Sequence, residues 1–291
     1  MPMSPRLLRP IASGVHPEAN AWRTAVVANG GTTPSATTMN AVSKFCRAID
    51  SAGIRSKFRR LNLFCGTSDA SLVAVRTPLY RGESRTGTQY GSSLDTNVNF
   101  VEGDYAETGA SGGLLGNGTS KYLNTGFNVD QLPGAANCHV ASYIRGTQDI
   151  ASARTLVGVL FNSVTDRYRL FLQLSGSTAP NYGIQTELGK ANSAALTNRT
   201  NTNGGLILAS RTSTTLLTLY DDAVSIGTTE TSTAETTGAF PFFVFARNGP
   251  TEYYNGRMAA YSIGAGLSGA EATSYYNAMN TFQTALSRNQ A

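Results

Sequence analysis

Residues 167–174 read Arg-Tyr-Arg-Leu-Phe-Leu-Gln-Leu. Tyr168, Leu170, Leu172 and Leu174 alternate with Arg167, Arg169, Phe171 and Gln173. This period of two belongs to a strand that gives one face to a core and keeps a mixed second face. Working outward, the same kind of run recurs at Val140–Arg145, Thr155–Phe161, Gly205–Ser210, Thr215–Tyr220, Phe240–Ala246 and Arg257–Ile263, each bounded by Gly, Asn, Ser or Thr. Short strands at that spacing predict a mainly β chain built as an antiparallel sandwich. Phe242-Phe243-Val244-Phe245 is apolar on both faces, so its strand is expected to be central or covered on its outer side.

Composition agrees. The 291 residues include 30 Gly and only 14% charged residues, too few charges for a helical bundle, while 41% apolar residues exclude wholesale disorder. No apolar run approaches the length of a membrane helix, so no membrane insertion is expected. Met1 to Gly14 holds Arg6 and Arg9 but no apolar h-region, so no secretory signal is expected and folding is expected in the cytosol. Cys46, Cys65 and Cys138 lack finger or C-x-x-C spacing and are expected to be buried free thiols.

Helical signals frame the strand-rich stretch. Residues 18–28 end at Asn29-Gly30-Gly31. A second helix starts at Ser35, carries Met39, Val42, Phe45, Cys46 and Ile49 on one stripe, and stops at Gly53. Ile54 to Arg60 is expected to form a further short helical turn, and the change of composition after Gly66 sets a boundary between residues 1–66 and 67–291. At the far end, Ser268-Gly269-Ala270-Glu271 is a capping box opening a helix over 268–288, with Tyr275, Met279, Phe282 and Leu286 inward. That helix is expected to cover the Phe242–Phe245 strand or the N-terminal helices.

Charge is uneven. Residues 1–66 hold nine basic residues against two acidic ones, a net of +7, whereas the rest holds fourteen against sixteen. Such an end suits an acidic partner or an anionic surface. Nucleic acid is not an expected partner, because Trp22, Phe45, Phe58 and Phe64 are spaced for packing rather than interleaved with the cations.

Catalytic material is sparse. The two histidines, His16 and His139, lie in no metal-binding motif, and no G-x-S-x-G turn or strand of alternating carboxylates occurs. Asp221-Asp222 reads as a polar hairpin tip. Gly113 and Gly118 have Walker spacing, but Thr119 stands where the lysine belongs. Asn117-Gly118 reads instead as a hairpin turn between Leu114-Leu115 and Tyr122-Leu123. No enzyme activity, metal or cofactor is expected. Thirteen tyrosines among abundant Ser, Thr and Asn suit an adhesive surface or an oligomer interface.

Four strings carry a family resemblance: Arg60-Leu61-Asn62-Leu63-Phe64-Cys65-Gly66, Gly103-Asp104-Tyr105, the run from Gly113 through Asn117-Gly118 and Lys121-Tyr122-Leu123 to Gly126, and Ala260-Tyr261-Ser262-Ile263-Gly264 with its capped helix. In these the chain resembles tailed-bacteriophage structural proteins that carry a concanavalin A-like (laminin G-like) jelly roll behind a small helical segment. The resemblance implies a multimeric virion component made in the host cytoplasm. It implies a place in the tail, as fibre, baseplate or adaptor, or on the head as a decoration protein. Residues 1–66 would then dock onto other virion proteins through Arg47, Arg55, Lys57, Arg59 and Arg60. The competing reading is a carbohydrate-binding, host-receptor module that meets a cell-surface glycan through loops at one end of the sandwich.

Overall fold

The computed structural model describes residues 14–145, 154–162, 166–173, 182–188, 198–199, 204–229 and 238–289. Two antiparallel sheets face each other. The strands in chain order are β1 (Phe58–Asn62), β2 (Thr96–Val98), β3 (Tyr105–Ala106), β4 (Gly113–Leu115), β5 (Tyr122–Asn128), β6 (Cys138–Arg145), β7 (Arg154–Asn162) and β8 (Asp166–Gln173). They continue as β9 (Tyr182–Leu188), β10 (Asn198–Arg199), β11 (Gly204–Arg211), β12 (Leu217–Asp221), β13 (Val224–Thr229), β14 (Pro241–Val244) and β15 (Arg257–Gly264). The first sheet runs β13-β12-β11-β6-β15-β4-β3, and the second runs β10-β9-β8-β7-β14-β5-β2. The expected sandwich is the observed architecture. The face taken by each side chain of residues 167–174 lies outside what the structure describes.

The helices are α1 (Pro17–Ala28), α2 (Ala36–Ser51), the single turn α3 (Val73–Arg76) and α4 (Gly269–Ala285). Their starts follow the sequence signals. Ser35 accepts the Thr38 backbone N–H, and Ser268 and Glu271 cap each other's backbone in the expected box. Gly53, at φ +69°, stands two residues past the end of α2 in a left-handed conformation.

Side chains between the sheets form one core, with Val140, Ile144, Ile207, Ala209, Tyr261 and Ile263 among its members. A second core lies on the outer side of the first sheet, where Ala141, Tyr143, Leu206 and Leu208 meet Trp22, Phe45, Ile49, Tyr275, Met279 and Phe282. Strands β6 and β11 are buried at every position for this reason. Phe45 and Phe282 meet edge-on at 6.0 Å, joining α2 to α4. All four inward residues expected of α4 are buried.

Two expectations are corrected and a third is narrowed. Of the two places expected for α4 it takes the N-terminal helices, packing on α2 over the first sheet, whereas Phe242–Val244 belong to β14 of the second. The outer cover of Phe243 is the ring of Tyr122, stacked at 4.7 Å. Residues 114–115 and 122–123 do not form a hairpin, because β4 and β5 sit in different sheets. Asn117 shapes the crossing between them: its side-chain oxygen accepts the backbone N–H groups of Thr119, Ser120 and Lys121. The segment 54–60 is helical only over Arg55–Lys57 and becomes β1 from Phe58. The Asp221-Asp222 reading holds, since β12 turns into β13 through Asp222 and Ala223, both at positive φ.

Strand β1 lies along the end of β15, pairing Asn62 with Tyr261 and Phe58 with Gly264, while β4 takes the start of the same edge at Arg257 and Met258. A Cβ on Gly264 would stand 1.9 Å from the Lys57 carbonyl oxygen, so only glycine admits this approach. The boundary at residue 66 thus falls after a strand of the sandwich, and the helices before it share a core with the first sheet.

Two outcomes are expected. A fragment of residues 67–291 loses β1 and exposes the outer core, so it should bind hydrophobic dyes and unfold without a cooperative transition; a soluble fragment with a sharp melt would refute the shared core. The second concerns His139, which is buried and held near Ala265 O (2.6 Å) and Ser262 Oγ (3.0 Å). Burial lowers its pKa to about 4 from an ordinary 6.5. The unfolded chain therefore takes up this proton first, and stability present above pH 6.5 is lost as pH falls towards 4, by about 3 kcal/mol in all. Denaturant unfolding across that range should show a step that His139→Gln lacks.

Candidate ligand-binding face

The five cations singled out by the sequence do not make a common surface. Arg47 donates to the Gly14 carbonyl. Arg55 lies 3.7 Å from the centre of the Tyr80 ring and 2.8 Å from Glu18 Oε1. Lys57 meets Glu271 at 3.2 Å, pinning the N-terminus of α4. Arg59 bonds Glu83 at 2.5 Å and rests over the Tyr90 ring. Each ties the approach to β1 to another element.

Arg60 has no exposed surface at all and is removed from any docking surface, a correction to the sequence reading. Its Nη2 donates to Asp95 Oδ1 at 2.5 Å, its Nε to Tyr261 Oη at 3.1 Å, and its Nη1 to the carbonyls of Tyr90 and Ser92 at 3.1 Å each. Tyr261 Oη donates to Asp95 at 2.8 Å, and Asn62 Nδ2 donates to Asp95 Oδ2 at 2.9 Å. Burial opposes the charge on Arg60, yet Asp95 beside it carries the pKa above its ordinary value. Burial, and then Asp95, raise Tyr261 well above the usual phenol range, so it stays protonated and can donate.

The three cysteines are buried, and both histidines are hydrogen-bonded within the fold. Burial raises the thiols of Cys46 and Cys138 to about 12 and that of Cys65 upward as well. His139 is a neutral core residue, and His16 caps α1 while bonding Asp50 at 2.9 Å. Among the described residues no group of three or more His, Cys, Asp or Glu is arranged to hold a metal ion.

Helices α1, α2 and α4 lie on the first sheet, and among the described residues no helix covers the outer face of the second. Strand β5 alternates half-buried and buried, sending Leu123, Thr125 and Phe127 inward and Tyr122, Asn124, Gly126 and Asn128 outward. Cross-strand register places Thr96, Asn124, Phe243 and Gly158 in one outward row. Beside that row Tyr122 stacks on Phe243 with rings 18° apart, and Tyr253 stands 6.3 Å from Tyr122. Arg154 holds the Tyr253 segment by donating to the Gly118 and Tyr253 carbonyls at 3.1 and 3.0 Å. Glu252 next to it pairs with Arg247 at 3.3 Å and accepts from Thr155 at 2.7 Å. The result is an aromatic platform edged with amide and charged groups. Sequence reasoning noted the abundance of Tyr and Asn but missed this trio, because Tyr122 and Phe243 meet only through the pairing of β5 with β14 and Tyr253 reaches them from the segment before β15.

No family model matches the chain, and no curated protein matches it. Solved structures do. Domain 4 of the GH43 extracellular arabinanase of Geobacillus stearothermophilus, solved with arabinotriose, is similar at 11% identity and TM-score 0.42, over 56% of this chain and 75% of that one. The binding domain of Paraclostridial Mosquitocidal Protein 1 is similar at 12% identity and TM-score 0.47, over 77% and 52%. The receptor binding domain of the botulinum neurotoxin C/D mosaic serotype gives 8% identity and TM-score 0.49, again over 77% and 52%. The chain thus spans about half the length of the latter two. No residue or activity is carried over from these structures.

Removal of the Asp95 charge tests the buried network. Asp95→Asn leaves Arg60 charged and without its partner, and should cost roughly 3–5 kcal/mol in denaturant unfolding. A change below about 1 kcal/mol, the range of exposed pairs, would show that water reaches the site.

Proposed function

We propose that the chain is a non-catalytic recognition module that presents the outer face of its second sheet to a saccharide on a cell surface. The single observation that carries this reading is the Tyr122–Phe243–Tyr253 platform, flanked by Asn124, on a face that no helix covers among the described residues. Sugar rings carry apolar C–H faces that pack on aromatic side chains, while their hydroxyls need donors and acceptors in fixed positions. Tyrosine supplies contact area at low entropic cost, and the Asn amide offers both hydrogen-bonding roles. The half-buried Tyr122, stacked on the buried Phe243 across paired strands, is also pre-organised, which lowers the cost of binding.

A second reading sets this module in a particle. The strings at Gly113–Gly126 and Ala260–Gly264 favour it through their resemblance to tailed-phage structural proteins. In that setting the chain is a homo-oligomeric virion component of the tail, or a head decoration protein, assembled in the host cytoplasm. Its saccharide then belongs to the host. Docking to other virion proteins would rest on exposed parts of residues 14–59, since Arg60 is internal.

Glycan-array binding of the full chain tests the first reading. One or more saccharides should be retained, and Tyr253→Ala and Tyr122→Ala should each weaken retention by about tenfold, as loss of an aromatic anchor does. An array without retained glycans, or retention indifferent to both substitutions, would overturn it.

A further inference from the structure

Between α1 and the segment that follows Tyr80 lies a cleft of about 130 Å³ whose lining includes Glu18, Trp22, Arg55, Arg81, Arg85 and Gln89. The segment is anchored in the fold, because Tyr80 and Leu61 exchange backbone hydrogen bonds at 3.1 and 3.0 Å. Trp22 is fixed as a wall by its indole N–H, which donates to Thr77 O at 3.0 Å. Gln89 Nε2 donates to the Ser84 and Gly87 carbonyls at 3.1 and 2.9 Å, stitching together the loop that carries Arg85.

Three guanidinium groups face one carboxylate in this lining, and that carboxylate is already taken. Glu18 accepts from Arg55 Nε at 2.8 Å. Arg55 is further held by Nη1 donating to Gly82 O at 2.7 Å and by its stacking over Tyr80, which leaves the Nη2 donors without an acceptor among the described residues. Arg81 is oriented by Nη2 donating to Gly91 O at 2.8 Å, while its Nε is buried and finds no acceptor among the described residues. Burial, and then the nearby Arg60 charge, hold Arg81 below the ordinary guanidinium range against the opposing pull of Asp95. Arg85 is exposed and forms no ion pair among the described residues. The lining therefore carries a net charge of +2 in a recess where Arg55 and Arg81 are held by the fold and Arg85 stands exposed beside them.

We propose that this cleft binds a single oxyanion, a carboxylate or sulfate, through Arg85, Arg81 and Arg55. Guanidinium groups match the geometry of such anions and bind them through charge-assisted pairs. The volume limits what else enters: a cavity of about 150 Å³ accommodates one benzene ring, so this cleft takes the acidic group with at most the ring that bears it. The anion is either free in solution or the acidic substituent of a sugar. The site does not depend on the aromatic platform, which lies on the other sheet.

Titration of the full chain, followed by NMR of the arginine Nε–H signals, tests it with sodium sulfate, glucuronate and glucose. Sulfate should shift the Arg81 and Arg85 signals and saturate. Glucuronate should compete with it if the source is an acidic sugar, and should not if the site takes only the free ion; glucose should do neither. Arg85→Ala and Arg85→Glu, at an exposed position, should retain the melting temperature and weaken sulfate by about tenfold or more. Tyr122→Ala should leave sulfate binding unchanged, which separates this site from the platform. Absence of saturation by sulfate, equal shifts with glucose, or full affinity in Arg85→Glu would overturn the proposal.

Discussion

The ion pair between Arg60 and Asp95 is the constraint on which the arrangement of this chain rests. Both side chains are wholly withdrawn from water, which costs several kcal/mol per charge before any attraction is counted. The cost is offset because partners surround both groups: Tyr261, Asn62 and two backbone carbonyls complete the set. Those partners come from β1, β15 and the segment before β2. The backbone of Asp95 also exchanges a hydrogen bond with Arg76 of α3 at 2.8 Å. One buried charge pair therefore fixes where four stretches meet. A well-packed apolar group could match it in energy, but it would not specify that Asn62 lies opposite Tyr261. What the pair adds is position.

From that position follows the asymmetry of the sandwich. With β1 seated on the end of β15, α1 and α2 are delivered to the outer side of the first sheet, where α4 joins them. The first sheet is sealed on both faces and becomes the rigid centre of a three-layer body. Among the described residues no helix covers the outer face of the second sheet. Tyr122 and Phe243 are carried there on paired strands, so their spacing is set by register rather than by loop motion.

Much of the fold was legible where the signal is local. Ser35 and the Ser268/Glu271 box announced two helices because capping is settled within four residues, and Asp221-Asp222 announced a turn because few residues tolerate positive φ. The partition of strands between sheets was not legible. Alternation tells which side chains share a face, but nothing in Leu114-Leu115 or Tyr122-Leu123 says that they join different sheets. The same limit hid the platform, whose members are brought together by a pairing more than a hundred residues apart. Arg55, Lys57, Arg59 and Arg60 looked like a surface because charge usually is solvated. Their partners Glu18, Glu83, Asp95 and Glu271 are scattered through the sequence, and only the tertiary structure reveals that each cation is already paired.

The net charge of the N-terminal portion therefore overstates what it offers to a partner. Charges that are paired inside the chain contribute little to an external field, and four of the five cations singled out above are paired in this way. Arg81 and Arg85 lie beyond the charge-rich first 66 residues, in a stretch whose overall balance is close to neutral. They matter because a stitched loop and the end of α1 hold them against a small recess, not because of how many there are. Tyr122 and Phe243 belong to the second sheet, whereas the recess is lined by α1 and the segment 78–89, so each stands on its own set of elements.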